Sequence, residues 1–327
     1  MMSSLKPPSL EDVKRARAAL DGVIRRTPLM RHPLLSAETG LDIHVKHENH
    51  NPTGAFKVRG GVNLVASLSD DERSRGIITA STGNHGQSIA FASQHAGVSC
   101  LVSVPRGNNP DKNAAMRALG ATVVEHGKDF DEAREWVEDQ AKIRGLRYVH
   151  SANEPLLIAG VGTYALEIFE DISDPDVILV PIGGGSGACG CCIVRTGLGR
   201  KTRVIGVQAA EADAFTRSWR GPERVSADRT ATFAEGLATR FSFDLTFGIL
   251  KRELDDIVTL TESELEEGVR LSLRATHNLA EGAGAASLAA ATKLRDQLRG
   301  KKVVAVMSGG NITTEMVRRI LANGKLT

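Results

Sequence analysis

Short runs of β-branched and other apolar residues alternate along this chain with longer stretches whose apolar positions recur every three or four residues. The runs at 43–47, 76–80, 99–104, 122–125, 176–181, 203–207, 256–261 and 302–307 read as strands. Most are followed by a helical pattern. Over 129–144, Phe130, Ala133 and Val137 share one face and charges fill the other, which predicts an amphipathic helix. The segment TESE at Thr261–Glu264 is a capping box and predicts a helix from Glu262 to about Asn278. Apolar strands that each lead into a helix are the pattern of parallel sheets with crossover helices, so the fold class is α/β. No solenoid repeat and no low-complexity linker interrupts it.

Composition narrows the function classes. A length of 327 residues suggests roughly two domains. Lys plus Arg is 41 against 39 for Asp plus Glu, with no basic run, so a dedicated nucleic-acid binder is not expected. A hydrophobic content of 41% argues against disorder. No apolar stretch reaches the ~18 residues of a membrane span, and the N-terminus lacks the apolar core of a signal peptide. Cys100, Cys189, Cys191 and Cys192 lack the spacing of a disulfide framework or a metal knuckle, so a reducing cytoplasm is the expected compartment. The unusual number is 33 glycines, about 10% of the chain against a usual ~7%.

Many of those glycines fall in three segments of one layout, at 76–92, 176–194 and 301–317. Each has an apolar strand, a turn of glycine with Ser, Thr or Asn, then a helix. Ligands of open α/β sheets bind beyond the carboxyl ends of strands. Helix N-termini there offer free N–H groups and a positive dipole end, and glycine lets an anion approach closely. Gly183-Gly184-Gly185-Ser186-Gly187 is the best phosphate cup. Residues 185–190 also fit GxGxxG, with Glu211 beyond the next strand, which keeps a nicotinamide-dependent oxidoreductase open.

The segment KHENHNPTGAFKVRGG at 46–61 places Lys57 where a turn at 51–54 gives way to a helix. The field at a helix start, with burial and the flanking Arg59, favours the neutral, nucleophilic amine. Taken in order, NPTGAFKVRGG, STGNHG, the glycine cup and MSGGN resemble the fold-type II pyridoxal-phosphate enzymes, within them the threonine/serine dehydratase and serine racemase family. RTPL at 26–29 and AEGAGA at 280–285 extend that resemblance over nearly the whole chain.

The resemblance implies two open twisted-sheet domains with flanking helices, of the tryptophan synthase beta-like kind. Residues 1–51 and 150–327 would form the large domain and 52–149 a small domain that closes over the substrate. It also implies pyridoxal 5'-phosphate as cofactor, a homodimer, and an amino-acid substrate. Lys57 would join covalently to the cofactor aldehyde and later take the Cα proton. Phe56 would pack near the ring, Asn84 would bond the ring hydroxyl, and Gly183, Gly184, Gly185, Ser186 and Gly187 would hold the phosphate. Ser308 would face the pyridine nitrogen and leave it largely unprotonated, which suits loss of a β-substituent. Gly236 would lie against cofactor and substrate, and Ser81, Thr82, Gly83, Asn84 and His85 would receive the substrate carboxylate. The implied reaction converts a 3-hydroxy amino acid, L-threonine or L-serine first, to a 2-oxo acid and ammonia.

The departures are informative. Serine racemases carry serine where this chain has Thr82, the residue facing the substrate opposite the lysine, so racemization is an alternative rather than the first expectation. His85 stands where cysteine synthases have threonine, which favours the dehydratase branch. Gln208 and Ala214 occupy positions where relatives offer carboxylates to a divalent cation, so no metal is expected. His44, His47 and His50, read as extended chain, should not share one face. Arg240 could pair with the second carboxylate of a 3-hydroxyaspartate. The chain ends soon after the SGGN helix, so no C-terminal regulatory domain is expected. A non-catalytic protein that retains cofactor or amino acid is a third class.

Overall fold

The structure is a computed structural model that describes residues 5–322. The strands are β1 (Leu29–Arg31), β2 (Asp42–His47), β3 (Ile77–Ala80), β4 (Cys100–Val104), β5 (Thr122–Glu125), β6 (Arg147–Tyr148), β7 (Val177–Pro181), β8 (Arg203–Ala209), β9 (Asp256–Leu260) and β10 (Lys302–Met307). They form two sheets, one in each of two compact units. One unit is the chain up to Arg25 with Lys57–Val161. The other is Arg26–Phe56 with the chain from Gly162 onward.

The larger unit holds a sheet of order β1-β2-β10-β7-β8-β9, parallel except for β1. Val177, Ile178, Leu179 and Val180 of β7 are all buried, which is why its sequence is continuously apolar rather than alternating. The chain runs β7, β8, β9 in one direction, while β10 lies on the other side of β7. That reversal is a topological switch point, where a crevice opens beyond the strand ends. The two strands that flank it lead into Gly183–Gly187 and Ser308–Gly310.

A buried polar network fixes the segment that approaches Lys57. Lys46 on β2 is fully buried, and its Nζ donates to Glu167 Oε2 at 2.5 Å and to the Thr27 carbonyl at 2.8 Å. The Thr27 hydroxyl donates to Glu48 at 2.6 Å, and Asn51 Nδ2 donates to the other Glu48 oxygen at 2.8 Å.

The smaller unit holds a parallel sheet of order β5-β4-β3-β6. Its switch point lies between β3 and β6, and β3 leads into Ser81-Thr82-Gly83. The helices flanking it include Lys57–Ala66 and Asn84–Ala96. The helix Leu10–Leu20 belongs here too, because Leu20 and Ile24 join Val58, Val62 and Leu64 in one apolar core. Beside the expected small domain of 52–149, this unit takes in the N-terminal helix, begins its second segment at Lys57 and extends to Val161.

Both predicted helices form, the second ending at Thr276, just short of the expected Asn278. Asp129 caps Phe130–Arg144, which ends at Gly145 in the left-handed region, φ 65°. The Thr261–Glu264 box opens Glu262–Thr276. The pattern missed β1 and β6, which are only three and two residues long and too short to show a period. Among the described residues no helix is long and apolar enough to cross a membrane.

Candidate cofactor and active site

The glycine cup in the larger unit begins where the sheet stops. Ile182 N–H makes the last sheet bond, to Val207 O at 2.8 Å, and the helix Ser186–Gly197 starts four residues later. Gly185 caps it at φ 91°, in the left-handed region, with no side chain to bond the first turn. Among the described residues, the backbone N–H groups from Gly183 to Ala188 find no protein acceptor; Cys189 N–H, to Gly185 O at 2.9 Å, is the next to be satisfied. Donors at a dipole's positive end, left without acceptors, suit an anion.

Neighbouring groups crowd two of the cup's glycines. A Cβ added at Gly183 would lie 2.0 Å from Gly236 O. One at Gly187 would lie 3.2 Å from the Tyr164 hydroxyl and 3.4 Å from the Phe56 ring. Phe56 meets Tyr164 edge-on at 6.2 Å. Beyond β10, Ser308 is buried and its carbonyl accepts from Phe56 N–H at 3.0 Å, while Gly310 N–H donates to Gly54 O at 2.9 Å. Glu281 N–H donates to Gly309 O at 3.1 Å, which brings AEGAGA to the same place. The larger unit thus gathers Phe56, Gly183, Gly187, Gly236 and Ser308. Arg240 is exposed, and its carbonyl accepts from Ala227 N–H at 2.7 Å.

The smaller unit carries the lysine. Lys57 is the first residue of the helix Lys57–Ala66, and its carbonyl accepts from the Ser88 hydroxyl at 2.6 Å. Gly61 sits one turn on, where a Cβ would be 2.4 Å from Ser88 Oγ and 2.7 Å from its carbonyl. That contact holds the lysine helix hard against the helix Asn84–Ala96. Asn84, half-buried, is the first residue of the latter.

The loop before Asn84 divides its labour. Ser81 Oγ accepts from Gly83 N–H at 3.1 Å and Gly86 N–H at 2.8 Å, taking over the capping that glycine cannot perform. Thr82 is half-buried, and its carbonyl accepts from Asn108 Nδ2 at 3.3 Å. Lys112 comes close to Gly83, where a Cβ would be 3.3 Å from its Cδ. His85 is buried with Nε2 2.9 Å from Thr79 Oγ1. The Thr79 hydroxyl spends its one proton on Val149 O at 2.8 Å, so His85 Nε2 carries the proton between them. Burial first, then the Lys57 charge, lowers the His85 pKa to about 3. His85 is therefore a neutral structural tie over the physiological range, and its imidazole is committed to Thr79.

The histidines at the end of β2 are not all in extended chain. β2 ends at His47, and Glu48–His50 is a 3₁₀ turn, which eclipses residues three apart. His47 and His50 consequently stack with ring centroids 4.9 Å apart, and His32 Nε2 lies 2.9 Å from His47 Nε2. Among the described residues no group of His, Cys, Asp or Glu has the geometry to hold a metal. Gln208 is buried and its Oε1 accepts from Thr216 N–H at 2.9 Å and Thr216 Oγ1 at 2.7 Å.

Burial first, then His50 and His32, lowers the His47 pKa from 6.5 to about 4. The unfolded chain takes up a proton that the folded chain refuses, so stability is lost as pH falls from the unfolded value toward the folded one. The slope is up to about 1.4 kcal/mol per pH unit for each such histidine. Urea unfolding between about pH 6 and about pH 4.5 should show a shallower slope for His47→Gln than for the unsubstituted protein. Equal slopes would mean that His47 titrates normally in the fold.

Sequence reasoning assigned no role to Tyr164, Glu281, Ser88 or Thr79, although Glu281 lies in AEGAGA and Thr79 and Ser88 in the 76–92 segment.

Comparison with known proteins agrees with this geometry. The family described as "Pyridoxal-phosphate dependent enzyme" matches residues 20–309. An L-threonine ammonia-lyase of Thermotoga maritima is 39% identical over 316 residues, covering 97% of this chain and 79% of its own. A catabolic L-threonine dehydratase of Staphylococcus aureus is 33% identical over 320 residues, covering 97% and 92%. The crystal structure of a T.th. threonine deaminase superposes with TM-score 0.89 at 32% identity, covering 94% of this chain and 99% of that one. The acceptor-free amides of the cup fit a phosphate, and the GxGxxG reading as a dinucleotide fingerprint falls away. The chain belongs to the pyridoxal-phosphate dependent enzymes of fold type II.

Proposed function

We propose that this protein is an ammonia-lyase that converts a 3-hydroxy amino acid, L-threonine or L-serine first, to a 2-oxo acid and ammonia. The observation that carries this reading is the 39% identity to an L-threonine ammonia-lyase across nearly the whole chain. When bound, pyridoxal phosphate supplies an aldehyde that links to amines and a conjugated ring that accepts charge from Cα. The amides of Gly183 to Gly187 would hold its phosphate, Asn84 would bond the ring hydroxyl, Phe56 would lie near the ring and Ser308 would face its nitrogen. Gly236 lines the wall. Thr82 and the backbone of the 81–85 loop would receive the substrate carboxylate, and Lys57 Nζ would take the Cα proton. The net change removes that proton and the β-hydroxyl as water. Hydrolysis of the released enamine then consumes water and frees ammonia.

Arg240, exposed beside this wall in sequence, supports 3-hydroxyaspartate as a second substrate class, and Thr82 keeps a hydroxyl where racemization would need one. A homodimer in a reducing compartment completes the reading, and the four free, buried cysteines fit that compartment.

A panel of 3-hydroxy amino acids in both enantiomers, scored for 2-oxo acid and for inversion, tests it. L-threonine and L-serine should yield 2-oxo acid with little inversion. Dominant inversion would make the protein a racemase. Binding without turnover of any member would make it a non-catalytic binder.

A further inference from the structure

Tyr164 reaches the carbonyl side of the Gly187 peptide, at the end of the glycine cup. It is fully buried, and its hydroxyl donates to Gly187 O at 2.8 Å. Because a carbonyl can only accept, the phenol's single proton is spent there. The 3.3 Å contact between the same oxygen and Cys191 Sγ then has the thiol as donor. The result is a relay from Cys191 S–H to Tyr164 O–H to Gly187 C=O. Phe56 packs edge-on against Tyr164 and holds the ring in place. Burial keeps the phenol protonated by raising its pKa well above 10.

The Gly187 carbonyl and the Ala188 N–H belong to one peptide group, and that N–H is among those without a protein acceptor. Donation into a carbonyl polarises its peptide and strengthens the N–H at the other end. The same bond fixes the orientation of the first helical turn, where glycine would otherwise leave the backbone loose.

We propose that Tyr164 is a positioning residue for the phosphate of pyridoxal phosphate. Acting through the Gly187 carbonyl, it fixes the turn that carries the 183–187 amides and strengthens the adjoining Ala188 N–H, the last of the acceptor-free donors. This rests on the reading of residues 183–187 as the phosphate cup, and is independent of which amino acid is the substrate.

The test compares Tyr164→Phe with the unsubstituted protein by spectroscopic titration of cofactor-free protein. Two ligands are used: pyridoxal phosphate, and pyridoxal, which lacks the phosphate. The Kd for pyridoxal phosphate should rise roughly three- to tenfold while that for pyridoxal stays within about twofold. Equal weakening of both ligands means general loosening and overturns the proposal, as does no change in either. If the unsubstituted protein itself shows no preference for the phosphorylated ligand, the cup reading fails first and takes the proposal with it.

Should the phenylalanine variant fold poorly, Tyr164→3-fluorotyrosine keeps the shape and makes a more acidic, stronger donor. It should tighten pyridoxal phosphate alone; an equal effect on pyridoxal, or no effect on either, overturns the proposal.

Discussion

Lys57→Ala should abolish 2-oxo acid formation, with kcat reduced by roughly 10⁴-fold or more, while the protein remains folded. One amine is assigned two tasks here: covalent attachment of the cofactor and transfer of the substrate Cα proton. Alanine performs neither. The fold should survive because backbone contacts anchor the start of this helix. The Ser88 hydroxyl bonds the Lys57 carbonyl at 2.6 Å, and the helix rests on Ser88 through Gly61 rather than through the lysine side chain. Alanine is also a better helix former at that position. Thermal unfolding should therefore shift by only a few degrees. Borohydride treatment of the cofactor-loaded protein should fix the chromophore to the unsubstituted chain and not to the variant. Activity within about tenfold of the unsubstituted protein would assign the proton transfer to another group.

Gly183→Ala should be severely damaging, because the added methyl meets backbone rather than side chain. Its Cβ would lie 2.0 Å from Gly236 O and 3.1 Å from Gly236 C. Both are backbone atoms, so no rotamer change relieves the clash. Either the end of β7 or the turn Glu235–Leu237 must move, and that turn is anchored by fully buried Leu237 and its N–H bond to Ala234 O at 2.7 Å. Overpacking of this kind costs about 3 kcal/mol or more when backbone must yield. The displaced amides would also lose their convergence, so the Kd for pyridoxal phosphate should rise by about 100-fold. Gly248→Ala is the matched control. It lies inside the helix Asp244–Glu253 with nothing within 4 Å of its Cβ position, and it should be neutral or slightly stabilising. If the two variants behave alike, the packing of Gly183 on Gly236 has no role in cofactor binding.

What could be read from the sequence was whatever is encoded locally. β7 and β10 declare themselves because both faces of a parallel strand are covered, leaving no polar alternation. Thr261 and Glu264, or Asp129 and Gly145, mark helix ends because capping is made by residues a few positions apart. The same holds for the cup, whose donors are consecutive. What could not be read depends on partners distant in sequence. Nothing near residue 10 says that the first helix joins the unit carrying Lys57, since the decision rests on Leu20 and Ile24 meeting Val58 and Val62. His85 looks like a substrate contact until Thr79 is found bonded to it. The stacking of His47 on His50 depends on where a strand gives way to a 3₁₀ turn, a boundary that pattern reading places only approximately.

The strand order of the larger sheet has a consequence for synthesis. β2 pairs along its length with β10, from Asp42 beside Lys302 to His47 beside Met307, so one of the first strands made must wait for the last. The unit that bears Lys57 is complete once Val161 has been made. Contacts between distant segments close slowly, and a waiting apolar edge is exposed to wrong partners. On a ribosome the lysine is therefore seated early. The glycine cup gains Ser308 and its neighbours only after β10 has been made, so a cofactor held by that cup would be captured late in folding rather than guide it.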